Sequence, residues 1–338
     1  MSSKFIPAVA YASGILRKPN PFAPCFSTVD ATNQGILVMA GTAFLFANRP
    51  IVFNTATVIP INTGALAAGT DYAIYVTSSG LLIFSANFTA PYGYTAANSF
   101  RVGGFHFAPG GPASTAQTGG NTTPQIFPPS IWDLQFRPAC PDPRAKAFCP
   151  GAGWVCLYPL NTNPDLLGAS AYGAQIADGS SLPIIPAARG GNGSAAYPDF
   201  SRFVAEELLG VYGLELLTPA QRAHAAYGVT EGTQAGADPV TTGLDAPRTS
   251  CFMFQATGNM WEWLAGDTTD ALTTAYAWQT TPQTRGQVYH TALRAPLGGG
   301  YWFFGADCGS RCSYWGVSPW YSYGSFGARG RCDHLQLV

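Results

Sequence analysis

Glycine and proline interrupt this chain so often that long helices are excluded: 39 glycines and 27 prolines punctuate 338 residues. Each proline fixes φ and removes a backbone donor, and each glycine weakens the interior of an element, so regular pieces must be short and turns many. Only 10% of the residues are charged, too few to solvate the outer faces of many surface helices, while 47% are hydrophobic. That much apolar material in a chain of this length supplies a sizeable core, and single cores stop growing before this size. The expected class is α+β and β-rich, organised as two domains.

The formal net charge of -1 and the absence of a Lys/Arg run remove the electrostatic footprint that nucleic-acid binding requires. No apolar segment approaches the ~18 residues of a membrane span, so membrane insertion is not expected. Pro7 breaks the first apolar stretch before it can serve as a signal core, which leaves the sequons at Asn87, Asn121 and Asn192 without a secretory context. Eight cysteines are too sparse for a disulfide scaffold and match no zinc spacing. Synthesis in a prokaryotic cytoplasm is the expectation.

Residues 1–34 lack periodicity, and Pro19, Pro21 and Pro24 keep their second half extended. They read as an N-terminal arm that packs on a neighbouring subunit or a larger particle, or equally as the first strand of the following domain. From Gly35 short apolar runs alternate with turn residues, and Tyr72, Ile74 and Val76 followed by Ser78-Ser79-Gly80 give a hairpin signal. Residues 35–128 are therefore expected to form a small β-sandwich, with the Gly/Pro/Thr-rich stretch 109–129 as its exit linker. In the remainder, 129–338, two helices are legible. One carries Phe200, Phe203, Val204, Leu208 and Val211 behind Asp199 and stops at Gly213. The other opens with the capping sequence Thr218-Pro219-Ala220-Gln221 and closes at Gly228.

The segment Leu216 to Gly228 and the run Gly258-Asn259-Met260-Trp261-Glu262-Trp263 resemble signatures of the C-type-lectin-like fold found in formylglycine-generating enzymes. Gly298-Gly299-Gly300-Tyr301-Trp302, Gly309-Ser310-Arg311, Ser318-Pro319 and Gly327 to Leu335 are similar to the variable region of the major tropism determinant family. The likeness covers roughly residues 60 to 338, through Ala68 to Tyr75, Gly103 to Gly110 and Trp132 to Pro138. The segment before it looks unlike that family's N-terminal β-prism. The resemblance implies a C-type-lectin-like domain after the sandwich, and a host cell-surface receptor, expected to be a protein, as partner. It further implies a homotrimer, contacts with other virion tail proteins, and a place at the distal tip of a tail fibre.

In that family a retroelement mutates template adenines, so AAC codons become NNC codons, which never encode Trp, Met, Lys, Gln or Glu. Aligning the framework puts the diversified positions at Tyr301, Phe303, Phe304, Asp307, Tyr314, Gly316, Val317, Tyr321, Tyr323, Gly324, Ser325 and Phe326, all of them residues that NNC permits. Tyrosine and phenylalanine interleaved with glycine and serine match the composition of antibody paratopes. These positions are therefore expected on a receptor-binding surface, whereas Trp302, Trp315 and Trp320 belong to the fixed scaffold, with Trp302 and Trp315 in the core.

Two other functions are consistent with the same resemblance. A cellular display protein diversified by the same retroelement would carry a secretion or lipoprotein signal. A formylglycine-generating-type oxidoreductase would use Cys308 and Cys312, since a thiolate pair binds a soft metal such as Cu(I). The two cysteines here flank only Gly309-Ser310-Arg311, closer than the enzymes' pair, and a local disulfide or two inert thiols is the plainer reading. His106, His224, His290 and His334 are scattered singly, and Asn163-Pro164-Asp165 has no Trp-Asn-Asp partner for a calcium-dependent sugar site. No cofactor, metal or catalytic residue is expected.

Overall fold

The computed structural model describes residues 13–269, 276–280, 285 and 287–335. Residues 1–12 of the expected arm lie outside them. The chain divides into two compact units, one of residues 1–66, 71–105 and 131–136, the other of residues 67–70, 106–130 and 137–338.

The regular elements among the described residues of the first unit are all β. Gly14–Arg17, Thr42–Phe46 and Arg49–Phe53 form one antiparallel sheet, and Phe26–Thr28, Ile36–Val38 and Thr57–Ile59 form another. The expected hairpin is present: Thr70–Thr77 pairs with Leu82–Ser85, and Gly80 takes the left-handed φ of 85° that its tight turn needs. Tyr72 to Val76 are buried on both faces, with Tyr72, Phe84 and Phe105 interlocked at ring separations of 5.2–5.5 Å on one side. On the other, Ala73, Tyr75 and Ile83 pack against Phe88 and Tyr94.

Residues 13–34 are not an arm. Their strands are built into this unit, and buried Asp133 ties them down by accepting from the Cys25 backbone N–H at 2.8 Å and pairing with Lys18 Nζ at 3.0 Å. A buried carboxylate must be paired and hydrogen-bonded, and here the early segment supplies the partners.

The stretch 109–129, expected as a linker, is packed into the second unit. Gln125–Ile126 pairs with Phe107 and Ala108, and Phe127 is fully buried 5.2 Å from Phe254. Its glycines act as contact points, since a Cβ on Gly110 would lie 2.2 Å from the Asn121 carbonyl oxygen.

In the second unit the strands Lys146–Cys149, Gly153–Cys156, Gly330–Cys332 and Glu215–Leu216 form a sheet in that order. A second sheet runs Thr268–Thr269, Leu293–Gly298, Trp261–Trp263 and Phe326–Ala328, with Ser313–Val317 also paired to Leu293–Gly298. Among the described residues the α-helices are α1 (Pro164–Leu167), α2 (Arg202–Val211) and α3 (Pro219–Ala225).

Helix α2 buries Val204 and Leu208 of the expected set together with Ala205 and Leu209, Phe200 is buried just ahead of it, Phe203 and Val211 are only half-buried, and Gly213 at φ 69° follows it. Its N-cap is Ser201; Asp199 instead accepts the Ser201 N–H at 2.9 Å. Helix α3 has the full capping box. Thr218 Oγ1 accepts the Gln221 N–H at 3.2 Å, and Gln221 Oε1 accepts the Thr218 N–H at 2.9 Å. Val155, Leu157, Tyr158, Leu217, Ala225, Val229, Phe254 and Leu264 make up much of the core between these elements.

Candidate functional site

The strand Trp261–Trp263 organises the C-terminal surface through the two-residue period of β-structure. Trp261 and Trp263 lie on one face of the strand and Glu262 on the other. Glu262 enters the core, where its two carboxylate oxygens accept from Arg222 Nε at 3.1 Å and Arg329 Nε at 2.9 Å. Arg329 spends its other donors on the carbonyls of Cys156, Leu157, Phe254 and Gln255, and Arg222 donates to the Ala256 carbonyl. Desolvation lowers the pKa of Arg222, and the adjacent Glu262 carboxylate counters it. One carboxylate thus ties helix α3, the Trp261–Trp263 strand and the C-terminal strand region to one point.

Each tryptophan is the floor of an aromatic group. Trp261 meets Phe304 edge-on at 4.8 Å and Tyr314 at 6.1 Å, and Tyr301 lies 6.0 Å from Phe304. Trp263 meets Phe326 at 5.3 Å, Phe326 meets Tyr323 at 5.1 Å, and Tyr323 meets Tyr321 at 5.6 Å. Four of these six contacts are edge-to-face, a preferred geometry of aromatic pairs, and the Trp261–Tyr314 and Tyr301–Phe304 pairs are tilted.

The loop between them is irregular yet pinned. Gly299 and Gly300 take φ of 96° and 83°, and a Cβ on Gly300 would lie 2.5 Å from Cys308 Sγ. Glu231 accepts the Ser310 N–H at 2.9 Å and its hydroxyl at 2.6 Å, and the Gly232 and Gly236 N–H groups donate to the carbonyls of Cys308 and Trp302. A loop whose backbone is held in this way tolerates exchange of outward side chains.

Of the twelve expected positions, Phe303, Asp307, Tyr314, Gly316, Tyr321 and Tyr323 are exposed, and Tyr301, Phe304, Gly324 and Ser325 half-buried. Val317 and Phe326, at 4% and 7% exposure, are buried. Both correct the expectation of surface positions. Val317 ends the strand Ser313–Val317 opposite Ala295, and Phe326 begins the parallel pairing beside Trp261, so both side chains are turned into the sheet's packed face.

The tryptophans are corrected as well. Trp315 is 43% exposed and Trp302 half-buried, because Trp315 stands on the outer face of its strand and Trp302 is spread between Tyr301 and Phe303. The buried tryptophans of this domain are Trp154, Trp261 and Trp263.

Sequence reasoning missed a further aromatic group. The hairpin of Ala277–Thr280 and Gln287–His290 carries Tyr276, Trp278 and Tyr289, with Trp278 at 65% exposure and directly opposite Tyr289. Trp320 joins it by donating from Nε1 to the Thr280 carbonyl at 2.8 Å and stacking on His290 at 5.1 Å. The alternation Tyr276, Trp278, Thr280 was the available signal.

The surface offers aromatic faces, hydroxyls and backbone amides in an open arrangement, the chemistry of adaptable protein recognition. Burial pushes the Cys308 thiol up to about 11 and that of Cys312 up as well, so both are protonated near neutral pH and poor nucleophiles. Among the described residues no group of three or more His, Cys, Asp or Glu is placed to hold a metal ion.

A family model described as the Mtd second domain matches residues 27–133. The chain is 40% identical over 315 residues to the tail fiber receptor-binding protein of Bordetella phage BPP-1, covering 90% of this chain and 81% of that protein. Its fold is similar to those of the Major Tropism Determinant M1 and I1 variants, with TM-scores of 0.90 and 0.89 at 38% and 37% identity. Each match covers 96% of this chain and 87% of that one, so the likeness extends well upstream of residue 60.

Proposed function

Because this chain belongs to the major tropism determinant family of phage tail receptor-binding proteins, we propose that it selects the host by presenting a retroelement-diversified aromatic surface to a cell-surface protein. The receptor-binding residues are Tyr301, Phe303, Phe304, Asp307, Tyr314, Gly316, Tyr321, Tyr323, Gly324 and Ser325. Val317 and Phe326 are diversified positions that act through packing beneath them.

The observation that carries this reading is the exposure of Phe303, Tyr314, Tyr321 and Tyr323 on a backbone locked from behind by Glu262, Glu231 and the glycines at 299 and 300. Soluble proteins do not leave contiguous aromatic area open without a use for it, and tyrosine is a frequent hot-spot residue because it gives large contact area at low entropic cost. The protein assembles as a homotrimer with other tail proteins at the distal fibre tip after synthesis in the host cytoplasm. Three copies raise a weak single-site affinity through avidity.

The test is adsorption of particles, or of the purified chain, to bacterial host cells. Tyr321→Ala with Tyr323→Ala should abolish adsorption while the protein remains folded. Unchanged adsorption by that double variant would remove the surface from the receptor-binding role.

A further inference from the structure

We infer that Cys140 and Cys332 form a cross-strand disulfide site that closes when the protein meets an oxidising medium. The backbone register carries the inference. Pro138 and His334 face each other in an antiparallel bridge, flanked by Ala139 N–H donating to the Asp333 carbonyl at 2.9 Å and Leu335 N–H donating to the Arg137 carbonyl at 2.9 Å. Hydrogen bonds that bracket a pair in this way mark it as a non-hydrogen-bonded pair, and such pairs recur every second residue.

Continuing the register by two residues places Cys140 opposite Cys332, again at a non-hydrogen-bonded position. There opposed Cα atoms lie about 4.5 Å apart, within the roughly 4.4–6.8 Å that a disulfide spans. The side chains agree with the backbone, since each thiol perturbs the other's ionisation, while the Cys140 thiol itself donates to the Asp142 carbonyl at 3.2 Å.

The pair is also reachable and chemically differentiated. Both residues line a cavity of about 280 Å³ together with Pro141, Gly213, Leu214 and Arg331. The neighbouring Cys140 lowers the Cys332 thiol below its ordinary range despite burial, and Lys146 adds to this. Lys146 is held beside them by the Asp142 and Arg144 carbonyls, at 2.7 and 3.2 Å. Cys332 is therefore the attacking thiolate and Cys140 the resolving thiol.

The oxidant is a low-molecular-weight disulfide. Cys332 Sγ attacks one of its sulfurs, forming a mixed disulfide and expelling one thiolate. Cys140 then loses its proton to solvent and attacks Cys332 Sγ, forming the Cys140–Cys332 bond and expelling the second thiol. Two cysteines are oxidised and the reagent is reduced to two thiols. The bond would fasten the strand that ends the diversified region to the first residues of its domain and close almost the whole domain into one loop, where a cross-link constrains the unfolded chain most. The inference does not depend on the receptor-binding reading.

The experiment is incubation of the full chain with oxidised glutathione, blocking with N-ethylmaleimide, and non-reducing peptide mapping. The expected result is one peptide pair joined through Cys140 and Cys332, two hydrogens lighter than its reduced form, and a melting temperature several degrees above that of dithiothreitol-treated protein. Cys140→Ser and Cys332→Ser should each lose the cross-link and the thermal gain. Recovery of both cysteines as maleimide adducts, a persistent glutathione adduct on Cys332, or linkage of Cys332 to Cys156 would overturn it. The map of the parent protein decides the matter even if a variant does not fold.

Discussion

Replacing Glu262 by glutamine tests whether the buried ion triad is what fastens the scaffold beneath the aromatic surface. Glu262, Arg222 and Arg329 are at most 1% exposed, and the two guanidiniums share this one carboxylate. Glutamine keeps the shape and one acceptor oxygen, but it turns an NH2 group toward a guanidinium Nε–H and leaves two buried cations without a counter-ion. Arg329 cannot re-pair, because its remaining donors are already taken by four carbonyls. Removing one partner of a buried pair costs about 3–5 kcal/mol, a large part of the roughly 5–15 kcal/mol that holds a domain folded. Urea denaturation of Glu262→Gln should therefore show a lower midpoint at unchanged m, whereas Phe303→Ala, on the exposed rim, should stay within about 0.5 kcal/mol of the parent. Adding Arg222→Met should restore part of the loss, since it removes a stranded cation and fills the space with an apolar side chain. A loss below about 1 kcal/mol for Glu262→Gln would refute the assignment of the triad as the scaffold's fastening.

Trp263→Ala should cost about 3–5 kcal/mol by calorimetry, while Trp315→Ala, half in water, should cost under about 1 kcal/mol; equal losses would contradict their different burial. Cys308 has its pKa raised from 9.0 to about 11, so the folded state favours the thiol. That contribution is complete below pH 9 and is lost as pH rises through 11. Thermal melts across that window should fall more steeply for the parent than for Cys308→Ser. Multi-angle light scattering should give a trimer mass at micromolar concentration, and a monomer mass would contradict the proposed assembly.

The local elements were legible where chemistry fixes them within a few residues. Thr218 and Gln221 announce the start of α3, and Ser78-Ser79-Gly80 announces a hairpin, because capping and turn formation depend on near neighbours. The sequence could not reveal partners distant along the chain. Lys18 and Cys25 look like parts of an arm until Asp133 is brought to them, and residues 109–129 look like a linker until Phe127 meets Phe254. At the candidate surface six of the twelve positions that the family framework points to are exposed outright. Trp302 stands in an irregular, glycine-rich loop with no period from which to read the direction of a side chain, and Trp315, Val317 and Phe326 sit on strands too short to show one, so the expectation fails for all four. The aromatic hairpin around Trp278 was overlooked because its strands are short and Tyr289 comes from the second of them.

The two tryptophan floors have a consequence for how mutations combine. Tyr301, Phe304 and Tyr314 communicate through Trp261, whereas Tyr321, Tyr323 and Phe326 form a chain that ends on Trp263. Substitutions inside either group alter a shared contact and should be epistatic. Substitutions in different groups share no ring contact and should add. A library drawn on this surface then behaves as two smaller libraries multiplied together, and a change that improves one half can be kept while the other is still being searched.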